Sequence, residues 1–174
     1  SQFRKKDGTI ITAPLNGTDY FYVGNAQPKI LAGLNNNFKY KKFDLNFFLR
    51  GVFGAKIFNA TRGNLSYTPN ATVSNLSSLL TSKDIVGDAR NSFYSTRYIE
   101  NGDYIRLDNA TLGYNVEPKI KGIKSLRLYV TGNNLLTFTK YTGIDPEINQ
   151  GGVAPGVDNN NFYPKTRVFM FGMN

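Results

Sequence analysis

Arg97-Tyr98-Ile99-Glu100-Asn101-Gly102-Asp103-Tyr104-Ile105-Arg106-Leu107-Asp108-Asn109-Ala110-Thr111-Leu112-Gly113-Tyr114 reads as a loop feeding a long β-strand over about 103–115. Downstream, Ser125-Leu126-Arg127-Leu128-Tyr129-Val130-Thr131-Gly132-Asn133-Asn134-Leu135-Leu136-Thr137-Phe138-Thr139 reads as its antiparallel partner over 124–138, after a turn at 117–122. In the partner, Leu126, Leu128, Val130, Leu136 and Phe138 oppose Ser125, Arg127, Tyr129, Thr131, Asn133 and Thr137. Successive side chains of a strand point to opposite faces, so this hairpin has one apolar and one polar face. The first strand changes phase midway. Ala110, Leu112 and Tyr114 share a face, whereas Ile105 and Leu107 fall on the other. A β-bulge near Asp108-Asn109 would reconcile the halves, because one extra residue restores the alternation.

The same period runs upstream. Ile30, Ala32, Leu34, Phe38 and Tyr40 alternate with Gly33, Asn35, Asn37 and Lys39, interrupted by Leu31 and Asn36. After a turn at Tyr40-Lys41-Lys42, the residues Phe43, Leu45, Phe47, Leu49, Phe53, Ala55 and Ile57 oppose Asp44, Asn46, Arg50 and Lys56. Alternation sustained from Phe43 to Ile57 exceeds the usual globular strand of about 5–6 residues. It suits a transmembrane barrel strand, which needs about 9–11 residues to cross. At the far end Phe169, Phe171 and Met173 face one way, and Val168, Met170 and Asn174 the other.

The connections alternate in length. Segments 1–27, 59–102 and 140–164 read as long loops, the middle one with a short helix over Val73 to Leu80; 41–42 and 116–123 are short turns. Bacterial outer-membrane barrels show this asymmetry, with short periplasmic turns and long extracellular loops.

Composition narrows the function classes. The 174 residues carry no Cys and no His, which excludes a disulfide framework, a Cys-based zinc site and a histidine-dependent triad. No run approaches the roughly 18 apolar residues of a spanning helix, a test that barrel strands escape because only alternate residues meet lipid. The net charge of +9 admits a basic surface for nucleic acid or anionic lipid, or a piece of a longer chain whose acidic residues lie elsewhere. The lysines are scattered or sit in turns, which argues against nucleic acid as a partner.

Several runs together resemble the SusC/RagA family of TonB-linked (TonB-dependent) outer-membrane proteins of Bacteroidetes. They are Gly24-Asn25-Ala26-Gln27-Pro28-Lys29, Tyr40-Lys41-Lys42-Phe43-Asp44-Leu45, the Arg97–Leu107 and Leu126–Leu135 stretches, Thr139 to Glu147, and Tyr163-Pro164-Lys165-Thr166-Arg167. The resemblance implies an all-β fold, namely the C-terminal segment of a large transmembrane β-barrel. Its hairpins would be 28–58 and 103–138, its extracellular loops 59–102 and 140–164, and its last strand 166–174, cut short of the family's terminal aromatic residue. The implied function is gated import of an oligosaccharide or peptide across the bacterial outer membrane. A SusD-like surface lipoprotein would cap the barrel, and TonB would drive it through a segment outside these residues. Outer-membrane lipid is the implied surrounding; no enzyme activity, cofactor or metal is expected. A soluble all-β binding or adhesion domain, with loops 59–102 and 140–164 as its recognition surface, is the competing reading.

Candidate contact residues follow from the polar faces. Arg50, Lys56 and Arg127, joined by Arg106 if the bulge exists, would line the lumen of a barrel and could contact a plug or substrate there; the competing reading is a solvated face balanced by Asp44 and Asp108. Asp145 and Glu147 read as loop turn-formers or incidental cation ligands, since neighbouring carboxylates on a loop do not supply the spacing of glycosidase chemistry. Tyr20, Tyr22, Phe93, Tyr94, Tyr98 and Tyr141 could stack on a ligand or pack within the loops. The Asn-x-Ser/Thr sequons at Asn16, Asn59, Asn64, Asn70, Asn75 and Asn109 fit chance in an Asn-rich chain.

Overall fold

The computed structural model describes residues 2–12, 17–67, 75, 95–120, 122–148, 155–159 and 163–174. In chain order its elements are β1 (Phe3–Arg4), β2 (Ile10–Ile11), β3 (Ile30–Tyr40), β4 (Phe43–Phe53), β5 (Lys56–Asn59), α1 (Ala60–Leu65), a 3-10 turn (Thr96–Tyr98), β6 (Ile99–Asn101), β7 (Tyr104–Val116), β8 (Leu126–Thr139), β9 (Val157–Asp158) and β10 (Val168–Met173). They divide between two compact units. The first comprises Gln27–Ala55, Asn101–Glu147 and Tyr163–Asn174; the second comprises Ser1–Ala26, Lys56–Glu100 and Ile148–Phe162.

The first unit is built on one five-stranded sheet in the order β10-β8-β7-β4-β3. Every pairing in it is antiparallel. Residues directly opposite one another share a face, so the register assigns sides across the whole sheet. Leu34↔Leu49↔Leu107↔Leu136 form one continuous row on the apolar face, and Phe38↔Leu45↔Leu112↔Val130↔Phe171 form another. On the opposite face lie Arg50↔Arg106↔Thr137 and Asn46↔Thr111↔Thr131. The two expected antiparallel hairpins, and the expected sidedness of Phe43, Leu45, Phe47, Leu49, Leu126, Leu128 and Val130 against Arg50 and Arg127, are those observed.

The bulge is also present. Leu107 and Asn109 pair with the adjacent Leu49 and Phe48 of β4, leaving Asp108 as the extra residue there, and the β7–β8 register shifts at the same place. Ile105 and Leu107 thereby join Ala110, Leu112 and Tyr114 on the apolar face. That face is open: Leu34 is 54% exposed, Phe38 55%, Phe43 51% and Phe171 83%. No row of side chains from a second sheet buries it among the described residues.

The expected strand 43–58 is shorter than its alternation suggests. β4 ends at Phe53, and Gly54 follows with φ of 84°, a left-handed conformation that favours glycine. Gly54 N–H donates to Asp103 Oδ1 at 2.6 Å, which fixes the break. Ala55 and Ile57 stay in phase with β4, so periodicity alone cannot report that the chain has left the sheet. The other expected strands shift at their ends by a residue or two.

The second unit holds the two-residue hairpin β1–β2 and a three-stranded sheet in the order β6-β5-β9, with β5 and β9 parallel. The three segments expected as loops therefore carry short elements. Asn59 caps α1 by accepting from Arg62 N–H at 2.8 Å, and Asn59 Nδ2 and Arg62 Nη1 both donate to Glu100 Oε1 at 3.1 and 3.0 Å. Thr61 Oγ1 donates to Asp158 Oδ1 at 2.9 Å. Asn59 is 2% exposed, which leaves its sequon no room for a glycan. The helix expected over Val73 to Leu80 lies outside the described residues.

Candidate functional site

The polar face of the five-stranded sheet gathers charge at both ends and neutral hydrogen-bonding groups between them. In the middle, the Thr111 and Thr131 hydroxyls lie 2.8 Å apart across the β7–β8 pair. Asn46 donates to Asn35 Oδ1 at 3.2 Å and Asn37 Oδ1 at 2.9 Å. Phe48 and Tyr129 also point to this face. Their rings lie over Gly33 and Gly172 on the neighbouring strands, where a Cβ would crowd the Phe48 ring and collide with the Tyr129 ring.

Toward the β8–β10 connection, register places Arg50 directly opposite Arg106. Two adjacent guanidinium groups repel unless anions separate them, and three carboxylates do so here. Arg50 takes Asp108 in a two-pronged pair at 2.7 and 3.1 Å. The bulge is what gives Asp108 this role, since it turns the extra residue toward the arginine. Arg50 also donates to Glu147 at 3.1 and 2.9 Å and to the Tyr104 hydroxyl at 2.9 Å.

Arg106 is 2% exposed and pairs with Asp145, and with Glu147 at 3.0 Å. Lys165 reaches the same Glu147 carboxylate at 2.9 Å. Tyr104, 5% exposed, offers its ring to both guanidinium groups, with centroids 5.6 Å from Arg50 and 5.4 Å from Arg106. Burial by itself would raise the Glu147 carboxyl. The hydrogen bonds from Arg50 and Lys165, and their charges, outweigh it and hold Glu147 at about 2. Arg106 Nε is buried with no hydrogen-bond partner among the described residues.

At the other end, Arg127 pairs with Asp44 through two bonds of 3.0 and 2.5 Å, and Asn115 adds a third bond to Asp44 at 3.0 Å. Gly113 makes room for this bridge, because a Cβ there would meet both charged groups. Arg127 also lies 5.1 Å from the Tyr129 ring centroid.

Of the four residues singled out in the sequence, Arg50 and Arg106 meet, Arg127 shares their face at the opposite end, and Lys56 belongs to the second unit. The balancing roles expected of Asp108 and Asp44 are the observed ones. Asp145 and Glu147 are not mere turn-formers: they tie the segment after β8 onto the polar face. The surplus of arginines over acids on the polar face of the strands was the available signal for them. Tyr104 and Lys165 gave none. Tyr98 and Tyr141 are buried at 5% and 6%, whereas Tyr20 and Tyr22 are exposed; Phe93 and Tyr94 lie outside the described residues. The arrangement is a set of ion pairs, with no activated nucleophile or acid–base pair among the described residues, and no cluster of metal ligands occurs among them.

No protein-family model matches the chain. Curated relatives do. TonB-dependent receptor P3 of Formosa agariphila is 36% identical over 97% of this chain and 18% of its own length. TonB-dependent receptor SusC of Bacteroides thetaiotaomicron is 30% identical over 98% of this chain and 17% of its own. The chain thus spans about a fifth of the length of these relatives, which are receptors, not enzymes. Among solved structures, the RagAB peptide transporter matches 95% of this chain and 19% of its own with a TM-score of 0.81 at 22% identity. The RagAB peptide importer in its closed-closed state gives 0.76 at 23% identity, over 98% and 20%. The fold is accordingly all-β, a stretch of antiparallel sheet like that of the RagAB barrel.

Proposed function

We infer that this chain, which belongs to the SusC/RagA family of TonB-dependent receptors, is the C-terminal part of the wall of an importer in the bacterial outer membrane. The observation that carries the reading is the five-stranded sheet with one open apolar face and one ion-paired polar face. A soluble sandwich would cover the apolar rows with a second sheet about 10 Å away. An outer-membrane barrel presents such rows to lipid and turns the alternating polar residues inward. The hairpins 28–58 and 103–138 and the strand 166–174 would then cross the membrane, while 59–102 and 140–164 would face outward.

In this reading Arg50, Arg106 and Arg127 are lumen-facing, whereas Lys56 lies past the end of β4 and off the five-stranded sheet. The Arg50–Arg106–Glu147 network is a fixed part of the wall that holds the segment after β8 across the lumen's edge. The mechanism is gated passage without bond chemistry. TonB supplies the energy through a part of the protein outside this chain, and a SusD-like lipoprotein caps the outer opening. The cargo is a peptide or an oligosaccharide; likeness to a peptide importer favours the peptide. Deleting the gene in the source bacterium should abolish uptake of labelled peptides or oligosaccharides, and deleting TonB should do the same. Recovery of the protein from the soluble fraction, or undiminished uptake of both cargo classes, would overturn the reading.

A further inference from the structure

We propose that the short-turn end of the five-stranded sheet binds the headgroups of anionic phospholipids, with Lys41, Lys42, Lys119 and Lys124 as the headgroup contacts. The proposal rests on the membrane reading above and adds what the membrane edge recognises.

The pairs Phe43↔Tyr114 and Val116↔Leu126 bring the β3–β4 and β7–β8 turns to the same end of the sheet. Aromatic rings cluster there on the apolar face. Phe43 and Tyr114 have centroids 4.7 Å apart, and Tyr40 is 71% exposed with the Lys41 ammonium 5.3 Å from its ring. Aromatic residues with a polar edge favour the boundary between hydrocarbon and headgroups.

The β7–β8 turn presents an apolar tip. Ile120 and Ile123 bridge each other, are 60% and 45% exposed, and stand between Lys119 and Lys124. Branched apolar side chains held outward on a turn lose hydrophobic stabilisation in water and recover it at a lipid boundary. Lysine stems can lie along that boundary while their ammonium groups reach phosphate.

Cations without an ion pair among the described residues occur at both ends of the sheet, with Lys29 and Lys140 at the end opposite the short turns. At that opposite end Arg50, Arg106 and Lys165 are ion-paired. At the short-turn end Asp44 is taken by Arg127, and Lys41, Lys42, Lys119 and Lys124 form no ion pair among the described residues. Compact ammonium groups with no protein counter-ion, beside exposed isoleucine and aromatic side chains, match a lipid with an apolar tail and an anionic head. A free polyanion would use the charge but leave the apolar tip unexplained.

The test uses the full-length receptor that carries this chain, inserted into vesicles of phosphatidylcholine containing a minority of phosphatidylglycerol. The lipid that stays bound on mild detergent extraction is weighed by mass spectrometry. Wild-type protein should retain phosphatidylglycerol above its share of the bilayer, and high salt should lower that enrichment. Changing Lys41, Lys42, Lys119 and Lys124 together to Gln should cut it about tenfold or more, given what each lysine contributes near an anionic surface. Changing the same four to Arg should preserve it. Heat-modifiable gel mobility shows whether each variant is a folded barrel; if the Gln variant is not, Lys41→Gln with Lys42→Gln alone should still lower the enrichment. Wild-type enrichment in a folded Gln variant, or insertion of the wild type without enrichment, overturns this inference and leaves the barrel reading standing. Failure of the wild type to enter vesicles at all overturns both.

Discussion

Arg106 carries a charge in a position 2% exposed, so its neighbours decide whether that position is tolerable. A buried ion pair is weak evidence of net stability, but removing one partner strands the other at a cost of about 3–5 kcal/mol. Asp145→Ala should therefore release the segment after β8. Because Glu147 still reaches Arg106, the lower end applies: about 3 kcal/mol, read as roughly a hundredfold faster amide exchange over residues 141–148. The same segment should respond to acid. Glu147 sits at about 2 against an ordinary 4.5. A depressed carboxyl contributes fully above its unfolded value and loses that contribution as pH falls through the folded one. Exchange over 141–148 should stay constant above about pH 4.5 beyond its intrinsic pH dependence, and accelerate between 4.5 and 2. Glu147→Gln should flatten that response. The sequence singled out the arginines because they lie on the polar face of strands whose other face is apolar. It did not reveal Asp145 and Glu147 as their partners, since a loop has no period from which direction can be read.

Among the elements, β7 was legible down to its bulge, because Ile105 and Leu107 sit out of phase with Ala110, Leu112 and Tyr114. Deleting Asp108 should transfer Ile105 and Leu107 to the polar face, a one-residue slip that reverses every side chain before it. The full-length receptor lacking Asp108 should fail to assemble, seen as loss of the compact, heat-modifiable band. Depth along the strands gives a second test. Phe47 lies mid-strand, stacked on Phe38 with centroids 6.0 Å apart, whereas Leu128 lies near the start of β8. Phe47→Arg should cost about 2–4 kcal/mol and Leu128→Arg only about 0–1, in unfolding from lipid vesicles. The end of β4 was not legible. Gly54 stops the strand while Ala55 and Ile57 keep its phase, and the partner of β5, Val157–Asp158, lies far along the chain in a stretch with no alternation of its own. Two-residue strands such as β1, β2 and β9 are too short to show any period.

For the whole molecule, the decisive question is what the open apolar face touches. β3 and β10 border the sheet, and an apolar sheet with unpaired borders associates in water. The 174-residue chain alone in detergent-free buffer should therefore sediment as oligomer or aggregate; a cooperatively melting monomer would mean that the apolar rows are buried internally. The absence of cysteine makes a sharper experiment possible within this chain. Single cysteines carrying a nitroxide label can be placed in the full-length receptor at Leu45, Leu112 and Val130, and at their neighbours Asn46, Thr111 and Thr131, then probed in lipid vesicles for collision with oxygen and with a water-soluble nickel complex. Strict alternation is expected, the first three accessible to oxygen from the lipid and the second three shielded from it. Low accessibility of Leu45, Leu112 and Val130 to both probes would place them in a protein core and contradict the claim that this sheet faces a membrane.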